Sequence, residues 1–417
     1  MPSAIVVGGG IAGLVVARGL AIGGVSVTLL EASDRLGGKV ARHTVAGIEL
    51  DAGAESFATR KGTVAALAES LGLSVELPNP SGAWLQASAD RAFPLPKTSL
   101  LGIPSIPLAA DVIDVVGMGG ALRATLDLLM FGFAGANERN FGRLVRRRMG
   151  RKVLERLVAP ITMGIHSRHP NELDVDVVAP GLRAQLAKVG SLAQAVRELR
   201  AAAPAGSAVS GFDGGMFALV DALSNDLERR GVAVRVSSPV AAADADGVTL
   251  ASGERMDAEA VVLATSLAAP GDTTITLVTL VLDAPKLDSA PRGTGVLVVP
   301  GIDGVRAKAL THSSAKWPWL AASLGQHRHV IRLSYNRVAH EGLEEVARRD
   351  AEKLLGVGIP ASSILGFDVV DWAQPATAPQ PIDGVTFVGE GVAGTGLAAV
   401  VDRSASEAER LLGALGV

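Results

Sequence analysis

The stretch that most constrains this chain runs from Ala4 to Glu31, AIVVGGGIAGLVVARGLAIGGVSVTLLE, where Gly8, Gly10 and Gly13 satisfy G-x-G-x-x-G directly after a short apolar run. Ala4 to Val7 is a buried strand by length and β-branching, and Leu14 to Leu20 can form the helix that follows. Strand, glycine turn and helix in that order put helix N–H groups, beginning near Ile11 and Ala12, where a pyrophosphate can meet them. The three glycines serve different ends. Gly8 permits the tight turn, Gly10 lets backbone approach the phosphates, and Gly13 lets helix pack on strand. A second strand, Val25 to Leu30, closes on Glu31, roughly 20 residues beyond the glycines, where an acid can hydrogen-bond a ribose hydroxyl. A bare glycine-rich turn is the alternative, and the strand, helix and acid in sequence weigh against it. The expected fold class is α/β, with a Rossmann-like dinucleotide domain.

At 417 residues the chain exceeds one ordinary core, so two or three domains are expected. A net charge of −3, from 39 basic and 42 acidic residues, gives no general attraction to nucleic acid, and none is expected as a partner. The sequence contains no cysteine, which excludes disulfides, thiolate catalysis, iron–sulfur clusters and cysteine-linked flavin; any cofactor is expected to be non-covalent. The seven histidines show no H-E-x-x-H, so no metal site is expected. The first apolar run already belongs to the nucleotide fold and no basic n-region precedes it, so the expectation is a cytoplasmic protein without a signal peptide. The longest apolar region, Leu100 to Ala136, is interrupted by Asp111, Asp114, Arg123 and Asp127, which leaves no run of the roughly 20 apolar residues a bilayer span needs. Peripheral membrane contact stays open.

After Glu31 comes a polar turn, Ala32 to Val40, carrying Arg35, the paired Gly37 and Gly38, and Lys39. Paired glycines here suggest a second backbone approach to the same cofactor, with a glycine hairpin as the alternative. Asp51-Ala52-Gly53-Ala54-Glu55-Ser56-Phe57 and then Arg60-Lys61 follow. On these motifs the chain resembles the flavoprotein superfamily of amine oxidases, carotene desaturases and protoporphyrinogen oxidases. The ESF..RK form is most similar to the bacterial coproporphyrinogen III oxidases, and the resemblance extends over nearly the whole chain. Phe93-Pro94-Leu95-Pro96, Leu101-Gly102-Ile103-Pro104, Leu157 to Pro160 and Gly164 to Leu173 follow the same pattern.

The resemblance implies FAD as the cofactor, with Glu31 on its ribose and the turn of Ala32, Arg35, Gly37, Gly38 and Lys39 at its phosphates. It implies Gly53, Ala54, Glu55 and Ser56 beside the flavin ring, and the backbone of Val240 against the adenine. Near the end of the chain, Gly389-Glu390-Gly391 and Gly394-Thr395-Gly396-Leu397-Ala398 open a closing helix, roughly 380 residues after the first glycines. That second cluster is what an FAD domain split along the chain requires, and Glu390 is implied to bind the ribitol. Its N–H groups can reach the flavin N1–C2 carbonyl edge, where reduced flavin is negative. The implied organisation is an FAD domain over 1–75, 205–268 and 383–417, an antiparallel-sheet substrate domain over 76–97 and 269–382, and a helical domain over 98–204 for which membrane association stays open.

The implied activity is oxidation of coproporphyrinogen III to coproporphyrin III in haem biosynthesis. Three two-electron steps would pass hydride from ring carbon to flavin N5, with O2 as acceptor and H2O2 as product. Pyrrole protons can leave to water, so no residue is expected to act as a strong base. Arg60 and Lys61 would sit near the mouth of the cavity and pair with substrate carboxylates; a solvated loop is the alternative for that pair. A protoporphyrinogen oxidase, another flavin amine oxidase, and a catalytically silent FAD-binding protein of the haem pathway are the rivals. A haem-pathway enzyme as partner stays open. Amine oxidases usually cage substrate between aromatic rings, and this chain holds one tyrosine, Tyr335. The segment Arg143 to Arg156 carries seven basic residues against one acid, Glu155, read either as a solvated helix face or as attraction for anionic lipid or a polycarboxylate. Two passages, after Thr265 and after Trp372, are shorter than the family pattern and fall beside the substrate domain.

Overall fold

Five parallel strands carry the glycine turns. Ser3–Val7 pairs with Ser26–Leu30 on one side and Ala260–Leu263 on the other, and Ala233–Arg235 and Val385–Phe387 form the edges. Counted along the chain, the order across this sheet is third, second, first, fourth, fifth. The direction of winding therefore reverses between Ser3–Val7 and Ala260–Leu263, which opens a crevice beyond the carboxyl ends of those two strands. Their side chains are apolar and buried on both faces, as a parallel sheet covered on both sides requires.

The computed structural model describes residues 1–59, 62–131, 133–166, 168–202, 209–265, 273–374, 379–394 and 396–417. Its backbone packing divides into two units: Met1–Pro78 with Ser207–Thr274 and Val370–Val417, and Asn79–Gly206 with Ile275–Val369. In the first, helix Ile11–Ile22 lies between the closing helix Leu397–Leu415 and helix Phe217–Arg229. Glycine makes the first of these contacts close. A Cβ at Gly19 would stand 2.7 Å from that of Ala408, and one at Gly23 would stand 2.3 Å from Leu412. The two ends of the chain are thereby packed into one core. On the other face of the sheet, Ile5, Val7, Val261 and Leu263 meet Val248 and Leu250 of a small antiparallel sheet, Val240–Asp244, Gly247–Leu250 and Arg255–Asp257.

The second unit holds a seven-stranded sheet in the order Ile364–Gln374, Thr273–Asp283, Arg328–Asn336, Ala309–His312, Gly295–Val298, Trp84–Gln86, Ala92–Pro94. It is antiparallel at the junctions of its centre, but Gly295–Val298 joins Trp84–Gln86 in parallel. Helix Leu343–Leu355 covers one face of it with Leu343, Ala347, Ala351 and Leu354.

A separate helical core in this unit gathers Val112, Val116, Phe141, Leu144, Leu157, Leu182 and Val196. Two helices of this core each end at a glycine. Phe141–Met149 stops at Gly150, φ +92°, and Leu182–Val189 stops at Gly190, φ +84°, both left-handed positions that favour a residue without Cβ. Within the basic run, Arg148 is fully buried. It donates to Asp127 Oδ1 at 2.5 Å and to the carbonyls of Phe131 and Ala134, while Asp127 also accepts from Ser191 Oγ and the Ala193 N–H.

Candidate functional site

A cavity of about 420 Å³ opens in the first unit at the reversal of strand order. Its wall starts at the first glycine turn. Gly8 stands at φ +107° and its N–H donates to the Leu30 carbonyl at 2.7 Å, which folds the chain back over the neighbouring strand. Gly10 has an ordinary extended backbone, φ −73° and ψ 176°, and a Cβ added there would meet nothing within 4 Å; it would project into open space beside the cavity. Gly13 is the opposite case, because its Cβ would lie 1.9 Å from the Gly8 carbonyl oxygen. Helix Ile11–Ile22 begins at this point with no acid in its first turn, so its free N–H groups and positive dipole end face the cavity unneutralised, lined by Ile11 and Ala12.

Glu31 closes the second strand and lines the same cavity. One carboxylate oxygen accepts the Gly9 N–H at 2.6 Å, and the other accepts the Ser33 N–H and Oγ at 2.8 and 2.7 Å. These bonds fix the side chain beneath the glycine turn. The paired glycines also arrive there: Gly37 donates to the Gly9 carbonyl at 2.8 Å, and Gly37 and Gly38, at φ +109° and +53°, put backbone against the wall. Lys39 follows on the lining, and its Nζ meets Glu390 Oε2 at 2.5 Å, joining the segment after the second strand to the glycine turn near the end of the chain. Ala54, whose N–H donates to the Lys39 carbonyl, Gly389, Gly396 and Leu397 complete the ring of expected residues around the cavity.

Other expected residues stand apart from the lining. Gly13, Gly53 and Ala398 are packed behind it; a Cβ at Gly53 would lie 2.1 Å from the Lys39 carbonyl oxygen. Ala32 and Arg35 are exposed on the turn, and Glu55 and Ser56 are half-buried on the segment after Ala54. Val240 sits at an irregular end of the small antiparallel sheet. Arg60 and Lys61 lie outside the described residues, as do parts of the two shortened passages. Conversely, Ala264, Thr265, Pro379, Val388 and Val400 line the cavity without having been singled out in the sequence as site residues, and Gly391 of the second glycine cluster lines it too. Ala264 and Thr265 could have been found from position alone, since they directly follow the strand beside the reversal.

The chemistry of this donor set suits a dinucleotide: a bare helix N-terminus with an open glycine for phosphates, an anchored acid for a ribose, and a second glycine cluster opposite. Strand order and cavity together define a nucleotide-binding protein of the doubly wound class. The sequence profile of the family described as flavin containing amine oxidoreductase matches residues 11–299, and the chain belongs to that family. It is an FAD-dependent oxidoreductase. Its relatives include coproporphyrinogen III oxidase of Mycobacterium leprae (strain TN), 31% identical over an aligned length of 358, with 80% of this chain and 77% of the relative covered. The corresponding protein of Mycobacterium tuberculosis (strain ATCC 25618 / H37Rv) is 31% identical over 361 residues, 81% of this chain and 77% of its own. Among solved structures, a protein of Exiguobacterium sp. 255-15 described as a protoporphyrinogen oxidase superposes with a TM-score of 0.80 at 23% identity, covering 99% of this chain and 98% of that one.

Proposed function

We propose that this protein oxidises a porphyrinogen, coproporphyrinogen III in the first instance, to the porphyrin, with O2 as terminal acceptor. The observation that carries the reading is the 31% identity to relatives named coproporphyrinogen III oxidase, extending over 80% of the chain. When bound, FAD supplies two-electron acceptance at its isoalloxazine ring. The residues of this chain hold and screen it. The N–H groups around Gly10 to Ala12 take the pyrophosphate, Glu31 a ribose, and the Gly389 to Leu397 turns the ribitol and the electron-rich edge of the ring. The Lys39–Glu390 pair ties the two halves of this seat together.

Arg60 and Lys61 are the proposed recognition groups for substrate carboxylates, Arg offering a bidentate fork. An amine substrate is disfavoured by the placement of Tyr335. The ring is fully buried among Val278, Leu333 and Leu354, and its hydroxyl donates to Asp350 Oδ2 at 3.1 Å, so it is committed to the core. Porphyrin fluorescence followed with flavin-loaded protein on coproporphyrinogen III and on protoporphyrinogen IX tests the proposal. Faster growth on the former is expected. Equal inactivity on both would replace it with a silent FAD-binding protein.

A further inference from the structure

The end of strand Ile364–Gln374, from Val370 onward, belongs to the first unit and brings one large side chain to the cofactor seat. Of the chain's tryptophans, Trp84, Trp317 and Trp319 lie in the second unit, and Trp372 is the tryptophan of the first. Its side chain is half-buried, between the exposed Asp371 and Ala373. The indole Nε1–H donates to the Ala52 carbonyl at 3.0 Å.

Ala52 opens a short segment whose N–H groups are already taken. The Ala52 N–H donates to the Ala41 carbonyl and the Ala54 N–H to the Lys39 carbonyl, each at 2.9 Å, which laces the segment to the turn after the second strand. Ala52 is only 1% exposed, so its carbonyl needs a partner from the protein, and the indole supplies one. Gly53 makes room for this arrangement. A Cβ there would stand 2.1 Å from the Lys39 carbonyl oxygen and 3.2 Å from Trp372 Nε1, so carbonyl and indole converge on the space a side chain would fill.

What the indole holds in place is cavity wall. Lys39 and Ala54 line the cavity, as does Ala373 directly after the tryptophan, while Trp372 itself stands behind the lining. Lys39 continues the connection to Glu390 of the second glycine turn. The passage that follows Trp372 is the one shortened against the family pattern, and its far described end rests on the same wall: Pro379 lines the cavity, and a Cβ at Gly391 would stand 3.1 Å from Pro379 Cδ. The bonds that fix Glu31, to Gly9 and Ser33, use none of these groups. The two ends of the seat are therefore held by separate sets of hydrogen bonds.

We infer that Trp372 is a positioning residue of the cofactor seat: its indole N–H fixes the Ala52–Ala54 segment, and through it Lys39, on the flavin-ring side, leaving the adenosine side to Gly10 and Glu31. A wall residue locked from behind in this way is preorganised for its ligand. The inference rests on the FAD seat proposed above and on no property of the substrate. Trp372→Phe keeps an aromatic ring and removes the donor. Cofactor-free protein is titrated with FAD and, separately, with ADP, which carries the adenosine and pyrophosphate without the ribityl chain and flavin ring. The FAD dissociation constant should rise about ten-fold, about what one hydrogen bond to a buried carbonyl contributes, while that for ADP stays within about two-fold. Amide hydrogen exchange of the two cofactor-free proteins should quicken in the variant at residues 52–54 and not in strand Ser3–Val7. Equal loss of affinity for both ligands, unchanged FAD affinity, or exchange that quickens throughout the parallel sheet overturns the inference. Failure of the wild type to bind FAD removes the seat itself, and the inference with it.

Discussion

Replacing Gly10 by valine separates cofactor binding from folding. At φ −73° and ψ 176° the backbone suits any L-residue, and the new Cβ meets nothing within 4 Å, so folding of the cofactor-free protein should change by no more than about 0.5 kcal/mol. The same open space is where the proposed seat brings a pyrophosphate to the helix N-terminus. Branched methyls there would hold it off by more than an ångström and break charge-assisted bonds worth about 1.5–3 kcal/mol each. Loss of two such bonds raises the FAD dissociation constant by roughly 10²- to 10⁴-fold. The assay is fluorescence titration of cofactor-free protein with FAD, beside its thermal melt. Gly13→Ala is the control with the reverse signature. Its Cβ would press to 1.9 Å from the Gly8 carbonyl, so the melt itself should fall by the equivalent of about 1–3 kcal/mol. Wild-type FAD affinity in Gly10→Val would refute the placement of the phosphates.

Glu31→Ala removes three accepted bonds, from the Gly9 N–H and from the Ser33 N–H and hydroxyl, and should cost about 1–2 kcal/mol in urea unfolding as well as weakening FAD. Asp127→Ala strands the Arg148 guanidinium in the helical core and should destabilise by about 3–5 kcal/mol, with Asp127→Leu combined with Arg148→Met costing less than the single change, read by the same unfolding curves. Stability should also fall with acid. His312, fully buried and hydrogen-bonded to His329 at 3.1 Å, has its pKa pushed down to about 3 by burial and by that neighbour. Burial lowers His329 too, and its hydrogen bonds to His329 and His327 lower Asp288. Each folded value lies below its unfolded one, so the unfolded state binds more protons. The histidine contribution is complete above about 6.5 and is lost downward toward about 3, at up to about 1.4 kcal/mol per pH unit for each proton. The contribution of Asp288 is lost below about 3.8 in the same direction. Melting temperature against pH checks this, and His312→Phe should flatten the profile.

The nucleotide unit was legible because its constraints are backbone constraints. Gly8 and Gly13 are set by a left-handed turn and a 1.9 Å approach that only glycine satisfies, while Gly10 leaves the wall beside the helix start open. Glu31 and the glycines from Gly389 to Gly396 follow by the same reasoning. Val388 and Val400 left no such trace, since a branched apolar residue at a strand end or helix start looks the same whether it faces a cofactor or a core. The basic segment read as a uniform surface run, yet Arg148 is its buried centre, because a carboxylate at Asp127 and three carbonyls wait for it from residues distant in sequence. The charges that interrupt the apolar stretch before it are likewise the groups that turn inward: Arg123 bonds backbone and Asp127 bonds Arg148, leaving the leucines outside.

The central claim is that electrons leave a porphyrinogen for a flavin seated between the two glycine clusters. Anaerobic mixing of flavin-loaded protein with coproporphyrinogen III, followed by the visible absorbance of the flavin, tests it most directly. Bleaching is the expected result, with colour restored when O2 is admitted. A flavin that stays yellow through repeated additions of substrate would contradict it.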